Sequence, residues 1–426
     1  MFIINSLIKE IETNNGSYIY DSASNTLCHK DEYHETHSIS SFIIKYYYSK
    51  DELLWKTRNA QSMLTISLTE KCNLRCEYCG YHKKYDDPNY KYSDINLEQV
   101  LLSVENFLDS TQAIENPSIS FYGGEPLLRF DIIQNVVEFC ENTYPLKKIS
   151  FSITTNGILL SQMNILNFLI SHNFFTTISL DGPKKIHDRY RVDALGNPTF
   201  DIIEKNLSTI LAINPHYYAN NISFNTVMAP PTDLATISNF FEEKNLEKVF
   251  YINFLETEYF KTKYNIPNIS VTNPTLLNNL MKSSYLGTLK KYLNLVPNTN
   301  LDVNVFPGGM CLPGVRRNFI HSDGRIILCE KVSEQDEIYN FGTVNKNVDI
   351  DKIWNLIESV EKIAFHRCTQ CWAVRFCSRC FLDFFDNNPS KCNNVKNVVM
   401  RDIKYYIENI MFNPEEKLRL ENITSY

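Results

Sequence analysis

Six short runs rich in Ile, Phe, Thr and Val recur between residues 64 and 254: "LTISLTEKC", "SISFYGGEP", "ISFSITTNG", "TTISLDG", "ISFNTVMAP" and "KVFYINF". β-branched and aromatic residues in runs of this length suit strands, and most of these runs end in a polar or glycine-bearing turn. Between them lie "LEQVLLSVENFLDS", "DIIQNVVEFCENT", "SQMNILNFLISHN", "FDIIEKNLSTILAI" and "ATISNFFEEKN". Their apolar residues fall at helical spacing. Strands joined by helical crossovers predict the α/β class, with a parallel sheet curled as a barrel or part of one. Such sheets place their active sites at the C-terminal ends of the strands, so the polar strand ends of this chain are the candidates.

The flanks differ in texture. Residues 1–62 hold "GSYIYDSASNTLCH", which reads as a hairpin around "DSASN", and an apolar "SFIIKYYY", which reads as a helix or a strand. Beyond about residue 300 the alternation stops and cysteines, glycines and short turns dominate. There "HSDGRIILC" predicts a hairpin turning at Asp323–Gly324, and "VKNVVMRDIKYYIENIM" predicts an amphipathic packing helix. Four segments result: 1–62, 63–300, 301–395 and 396–426. A net charge of -7 without a long basic run argues against nucleic acid as a partner. Lys9, Glu10 and Glu12 come too early for a signal-peptide core. The stretch "GILLSQMNILNFLISHNFFTTISL", free of Asp, Glu, Lys and Arg, is too polar to span a membrane. A cytoplasmic protein with no membrane partner is expected.

Twelve cysteines in such a compartment point to metal rather than disulfides. Cys28 and Cys140 stand apart and read as small buried hydrophobes. The others cluster: Cys72, Cys76 and Cys79 in "KCNLRCEYCG", and Cys311, Cys329, Cys368, Cys371, Cys377, Cys380 and Cys392 later. A closed zinc site takes four ligands. Three thiolates at C-x3-C-x2-C suit a [4Fe–4S] cluster better, since they hold three irons and leave the fourth open to a ligand.

A C-x3-C-x2-C loop directly after the first strand of such a barrel, with an aromatic Tyr78 before its last cysteine, resembles the radical S-adenosylmethionine (SAM) enzymes. The resemblance implies a [4Fe–4S] cluster on Cys72, Cys76 and Cys79 whose open iron chelates SAM. An external one-electron reductant, of the flavodoxin or ferredoxin type, drives cleavage of SAM to a 5′-deoxyadenosyl radical. It further implies a SAM-binding role for the strand ends. "YGGEP" offers Gly123, Gly124 and Glu125, with the glycines letting backbone approach a ligand closely and Glu125 accepting from the methionine amino group. "TTNG" offers Asn156 to a ribose hydroxyl, "SLDG" offers Ser179, and "HDRYRVDALGNPTFD" offers Arg191 to the SAM carboxylate.

The later cysteines resemble the SPASM extension, which carries two auxiliary iron–sulfur clusters. Gly324 before Cys329 and the C-x2-C-x5-C of "CTQCWAVRFCSRC" are in the family pattern. By that resemblance Cys311, Cys329 and Cys380 hold one auxiliary cluster, and Cys368, Cys371, Cys377 and Cys392 the other. The chain departs twice. The central run closes with x2 rather than x3, and no extra cysteine follows Cys311, so one iron lacks a cysteine: it is open, or filled by another side chain, or the cluster is smaller. The fold expected is therefore a partial (β/α)6 radical SAM barrel with a cysteine-rich C-terminal SPASM domain and a small N-terminal module.

SPASM enzymes mostly modify peptides, and an open auxiliary iron suits a substrate thiolate. The expectation is a maturase of a ribosomally made precursor peptide that forms a Cys thioether crosslink. The N-terminal module then receives the leader, by strand addition, or merely caps the barrel. The alternatives are a sulfatase-type maturase forming formylglycine, a carbon–carbon or carbon–oxygen crosslinking enzyme, and a non-catalytic iron–sulfur carrier. No catalytic acid or base is singled out.

Overall fold

The computed structural model describes residues 7–34, 43–45, 49–85, 87–111, 113–229, 234–243, 249–254, 289, 292–293, 302–304, 311–332, 336–346, 348–377, 379–385 and 389–421. Its strands in chain order are β1 (Ile8–Thr13), β2 (Gly16–Asp21), β3 (Thr26–His29), β4 (Ile43–Lys45), β5 (Met63–Ser67), β6 (Ser118–Tyr122), β7 (Ser150–Thr155), β8 (Phe175–Ser179), β9 (Ile222–Met228), β10 (Val249–Phe254), β11 (Asp302–Asn304), β12 (Arg317–Ile320), β13 (Arg325–Ile327) and β14 (Asn340–Thr343). The chain divides into two compact units, one of Met1–Trp55, Tyr285–Pro313 and Ile350–Tyr426, the other of Lys56–Ser284 and Gly314–Asp349.

The second unit is an α/β body. All six runs read as strands form β5 to β10, each parallel to the next, with Ser118 opposite both Met63 and Ser150. All five predicted crossover helices are present: Leu97–Asp109, Phe130–Thr143, Met163–Ser171, Phe200–Ile213 and Leu234–Glu243. Strand residues at period two (Leu64 and Ile66, Ile119 and Phe121, Phe151 and Ile153) meet helix residues at period three to four (Val100, Val104 and Phe107; Ile133, Val136, Val137 and Cys140) in one core. Phe174 stacks on both Phe121 and Phe151 at its centre. Burial of each such ring contributes about 2–3 kcal/mol. Cys140 is the core hydrophobe expected of it.

Among the described residues the sheet has nine strands, because β12 adds in parallel to the outer edge of β5 and β13 and β14 continue antiparallel. The hairpin at Asp323–Gly324 is there, with Gly324 at φ +85°. Sequence reading did not foresee its partner: four residues of β12 carry no mark of which distant strand they join. This addition brings His321 and Ser322, at the C-terminal end of β12, to the same sheet end as the residues following β5.

The first unit holds an antiparallel sheet of β1, β2 and β3, turning through Ser22–Asn25 as the "DSASN" hairpin requires. The parallel pair β4–β11 also belongs to it, and β4 is the described part of "SFIIKYYY". Turns do not dominate its C-terminal portion: Ile350–Cys368 is a 19-residue helix that buries Ile353, Leu356, Ile357, Val360 and Ala364. The helix expected over 395–411 runs from Pro389 to Asn409, and a proline at the first helical position costs no hydrogen bond. It buries Val399, Ile403, Tyr406 and Ile407 at helical spacing. A further helix spans Pro414–Glu421. Among the described residues no helix is long and apolar enough to cross a membrane.

Candidate active site

Strand β5 delivers the chain into the three-cysteine loop, and the end of β6 holds that loop in place. Gly124 N–H donates to Thr69 O (2.7 Å) and Glu125 N–H to Lys71 O (2.9 Å). A Cβ on Gly123, which sits at φ +131°, would stand 2.5 Å from Thr69 O, and one on Gly124 would stand 2.2 Å from Lys71 O. Carbonyl groups cannot be approached this closely by a side chain. The glycine pair was expected to admit a ligand; the group that approaches it is the backbone of the cysteine loop itself.

Within the loop the sulfurs collect N–H donors. Leu74 N–H and Tyr81 N–H point at Cys72 and Cys79 Sγ, each at 3.4 Å. Asn156 Nδ2 lies 3.7 Å from Cys72 Sγ, and Arg191 Nη1 lies 3.9 Å from Cys76 Sγ. Burial nevertheless pushes the Cys72 thiol up to about 12, helped by the Glu125 charge, and the Cys76 thiol to about 11 against the pull of Arg191. These thiols must lose protons to bind metal.

The predicted ligand residues converge on this loop, mostly through bonds to the protein. Glu125 is fully buried and accepts from Leu127 N–H (3.1 Å), Thr155 Oγ1 (2.8 Å) and Asn156 N–H (2.8 Å). Burial outweighs these bonds and raises its carboxyl to about 7. Asn156, at the end of β7, donates to Asn73 Oδ1 at 2.7 Å. Arg191 is buried and pairs with Asp181 (2.9 Å), and Tyr78 donates its hydroxyl to the same carboxylate. Burial works against the Arg191 charge, but Asp181 more than offsets it and the guanidinium stays ionised. Ser179, on the last position of β8, is nearly buried.

Two residues that sequence reading did not single out organise the site. Asp181 also accepts from Val227 N–H at 2.9 Å, so it joins β8 and β9 to Tyr78 and Arg191. Its signal was present in "SLDG", two residues beyond the serine that was chosen. Glu70 is buried and accepts from Lys84 Nζ (2.9 Å), Tyr90 OH (2.8 Å) and Ser93 N–H (2.8 Å), while its carbonyl accepts from Tyr85 OH (2.8 Å). Burial raises its pKa, yet these donors prevail and hold it below the usual range.

The later cysteines fall in both units. Cys368, Cys371, Cys377 and Cys392 all lie in the first. Burial pushes Cys368 up to about 12 and Cys377 to about 11, and each feels neighbouring thiols of the same four. Cys371 N–H donates to Cys368 O at 3.1 Å, giving the short turn between the first pair. Cys311 and Cys380 are exposed residues of the first unit, and Cys329 is a partly buried residue of the second. No disulfide joins any of the twelve cysteines. Among the described residues no three His, Cys, Asp or Glu side chains gather tightly enough to hold a single metal ion.

Residues 66–237 match the Radical SAM superfamily. It is 32% identical over 212 residues to the cysteine-type anaerobic sulfatase-maturating enzyme of Clostridium perfringens, a match covering 48% of this chain and 55% of that protein. The match thus spans about half the length of that relative. The fold is similar to the structure of native anSMEcpe with bound AdoMet, with a TM-score of 0.58 at 21% identity, covering 85% of this chain and 100% of that one. It is also similar to native anSMEcpe with bound AdoMet and Cp18Cys peptide, with a TM-score of 0.56 at 21% identity over 85% and 99%. At that identity the likeness is one of fold.

Proposed function

We propose that this chain is a radical SAM maturase acting on a peptide or protein side chain. The observation that carries the proposal is the double backbone tie from Gly124 and Glu125 to Thr69 and Lys71, which presents three cysteines at the C-terminal ends of the parallel strands. The donor set fits a [4Fe–4S] cluster on Cys72, Cys76 and Cys79: three sulfurs in one loop, with N–H donors aimed at two of them and a buried guanidinium beside the third. When bound, the cluster and SAM supply the hydrogen-abstracting radical.

The chain's own residues bind and orient. Arg191 has five N–H donors and uses Nε on Asp181 and Nη1 on Cys76, so others remain for a ligand carboxylate. Glu125 Oε2 takes one protein hydrogen bond where a carboxylate oxygen has room for two, which leaves a place for an ammonium group. With its carboxyl near 7, an ammonium neighbour would draw it into the ionised form. Asn156 and Tyr78 fix the loop against β7 and Asp181, and Gly123 and Gly124 let its backbone seat closely. A precursor or protein substrate, an external reductant and auxiliary clusters on the SPASM-like cysteines belong to the same reading. In it, residues 1–62 receive the leader of the substrate.

Two outcomes for the substrate have specific support. Seven auxiliary cysteines leave one iron for a substrate thiolate, which favours a thioether. The likeness to a cysteine-type sulfatase maturase favours formylglycine instead. The test uses anaerobically reconstituted chain with dithionite, SAM and the Cp18Cys peptide. Expected is 5′-deoxyadenosine from the wild type and none from Cys76→Ala. A peptide aldehyde with loss of sulfur would select the sulfatase-type reaction, and loss of two hydrogens with sulfur kept would select the thioether. No cleavage of SAM by the wild type would sink the proposal.

A further inference from the structure

Between Cys377 and Cys380, where the chain shortens its cysteine spacing, stands Arg379. It is almost fully buried. Its Nη1 donates to Cys392 Sγ at 2.8 Å, its Nη2 donates to Asp383 O, and its guanidinium carbon lies 4.9 Å from the centre of the Phe384 ring. The carbonyl and the ring face hold the cation in place, so it is not free to swing into solvent. Cys392 is itself in the first turn of helix Pro389–Asn409, where the positive end of the helix dipole adds to the guanidinium. A fixed positive charge thus stands against one of four cysteines of this unit in a buried setting, where charge interactions are strong.

We propose that Arg379 sets the reduction potential of an iron–sulfur cluster held by Cys368, Cys371, Cys377 and Cys392, raising it by stabilising the more negative reduced form. This rests on the reading of those four cysteines as an auxiliary cluster site. N–H donors to cluster sulfur and local net charge are the levers by which a protein moves such potentials. Arg379 supplies both from one side chain. Its place is that of a tuning residue: it donates to the sulfur of a ligand and does not itself bind iron. A higher potential makes the cluster a better electron acceptor.

The test is a potentiometric titration followed by electron paramagnetic resonance. It uses the full-length chain carrying Cys72→Ala, Cys76→Ala and Cys79→Ala, so that only auxiliary clusters report. Arg379→Gln should shift one cluster signal to a more negative potential, and Arg379→Lys should restore most of the shift. An unchanged potential in Arg379→Gln with iron retained overturns the inference. Should Arg379→Gln lose iron, Arg379→Lys decides: retention at near the parental potential supports the charge role, and equal loss overturns it in favour of packing alone. Should the parent triple variant itself bind no iron, the auxiliary-cluster reading fails, and the inference with it.

Discussion

His187 shows how a single buried side chain fixes its own protonation state. Asp181 N–H donates to its Nδ1 (3.4 Å), and Thr199 Oγ1, 3.1 Å from its Nε2, gives its own proton to Arg191 O. Nε2 must therefore carry the hydrogen, and the ring is neutral. Burial lowers its pKa from 6.5 to about 4. Because the folded value lies below the unfolded one, its stability contribution is full above about pH 6.5 and is lost as pH falls through 4, amounting to about 3 kcal/mol. Urea unfolding of wild type and His187→Gln between pH 7.5 and 4.5 should show the wild type losing more stability than the variant. Parallel losses would refute the assignment. Gly124→Ala tests a steric claim instead: with Lys71 O in the way, it should cost about 3 kcal/mol or displace the cysteine loop, read as a lowered Tm or as loss of iron binding. Which residue types lie at the strand ends was legible in "YGGEP", "TTNG" and "SLDG". Which side chain points where was not. Asp181 rather than Ser179 became the hub, because only the three-dimensional arrangement shows that Tyr78, Arg191 and Val227 meet there.

At the scale of the element, Glu70 closes the cysteine-bearing excursion of the chain at its base. It precedes Cys72 by two residues and takes hydrogen bonds from Lys84, Tyr90 and Ser93 on the returning limb. Lys84 lies over the Tyr81 and Tyr90 rings as well, and Arg75 over Tyr85, so the limb is stapled by charge and aromatic faces together. Glu70→Gln keeps the shape but removes the charge, weakening the staple by about 1–2 kcal/mol. The apoprotein should then react with an aromatic disulfide at Cys72 and Cys79 about tenfold faster, since 1.4 kcal/mol is a factor of ten in opening. Circular dichroism should be unchanged. An unaltered rate would mean the loop is held by its backbone ties alone. The regular strands and helices behind this loop were readable because their periodicity is local. The helix Ile350–Cys368 was equally periodic, and it was missed because the cysteines after it dominated the reading of that region. The seating of β12 on β5 was unreadable for a different reason: pairing between residues some 250 positions apart leaves no pattern in either segment.

For the whole molecule, the division of cysteines between two compact units makes metal loading separable. Cys72, Cys76 and Cys79 lie in the α/β unit, and Cys368, Cys371, Cys377 and Cys392 lie in the other, each set held by hydrogen bonds within its own unit. Replacing the three loop cysteines with alanine should remove about four irons per chain and abolish SAM cleavage, while leaving iron on the later cysteines in place. Two full auxiliary clusters would leave about eight irons; a single one on the four-cysteine set would leave about four. The distinction bears on chemistry, because only the first count accommodates a seven-cysteine pair of clusters with one iron open to a substrate thiolate. Iron and sulfide analysis of the anaerobically reconstituted triple variant, with Mössbauer spectroscopy to identify cluster type, reads the number directly. If the remaining metal is zinc, or no metal remains, the cysteines after residue 300 have a structural role. The radical SAM domain would then act without auxiliary clusters, and the preference for a thioether would lose its ground.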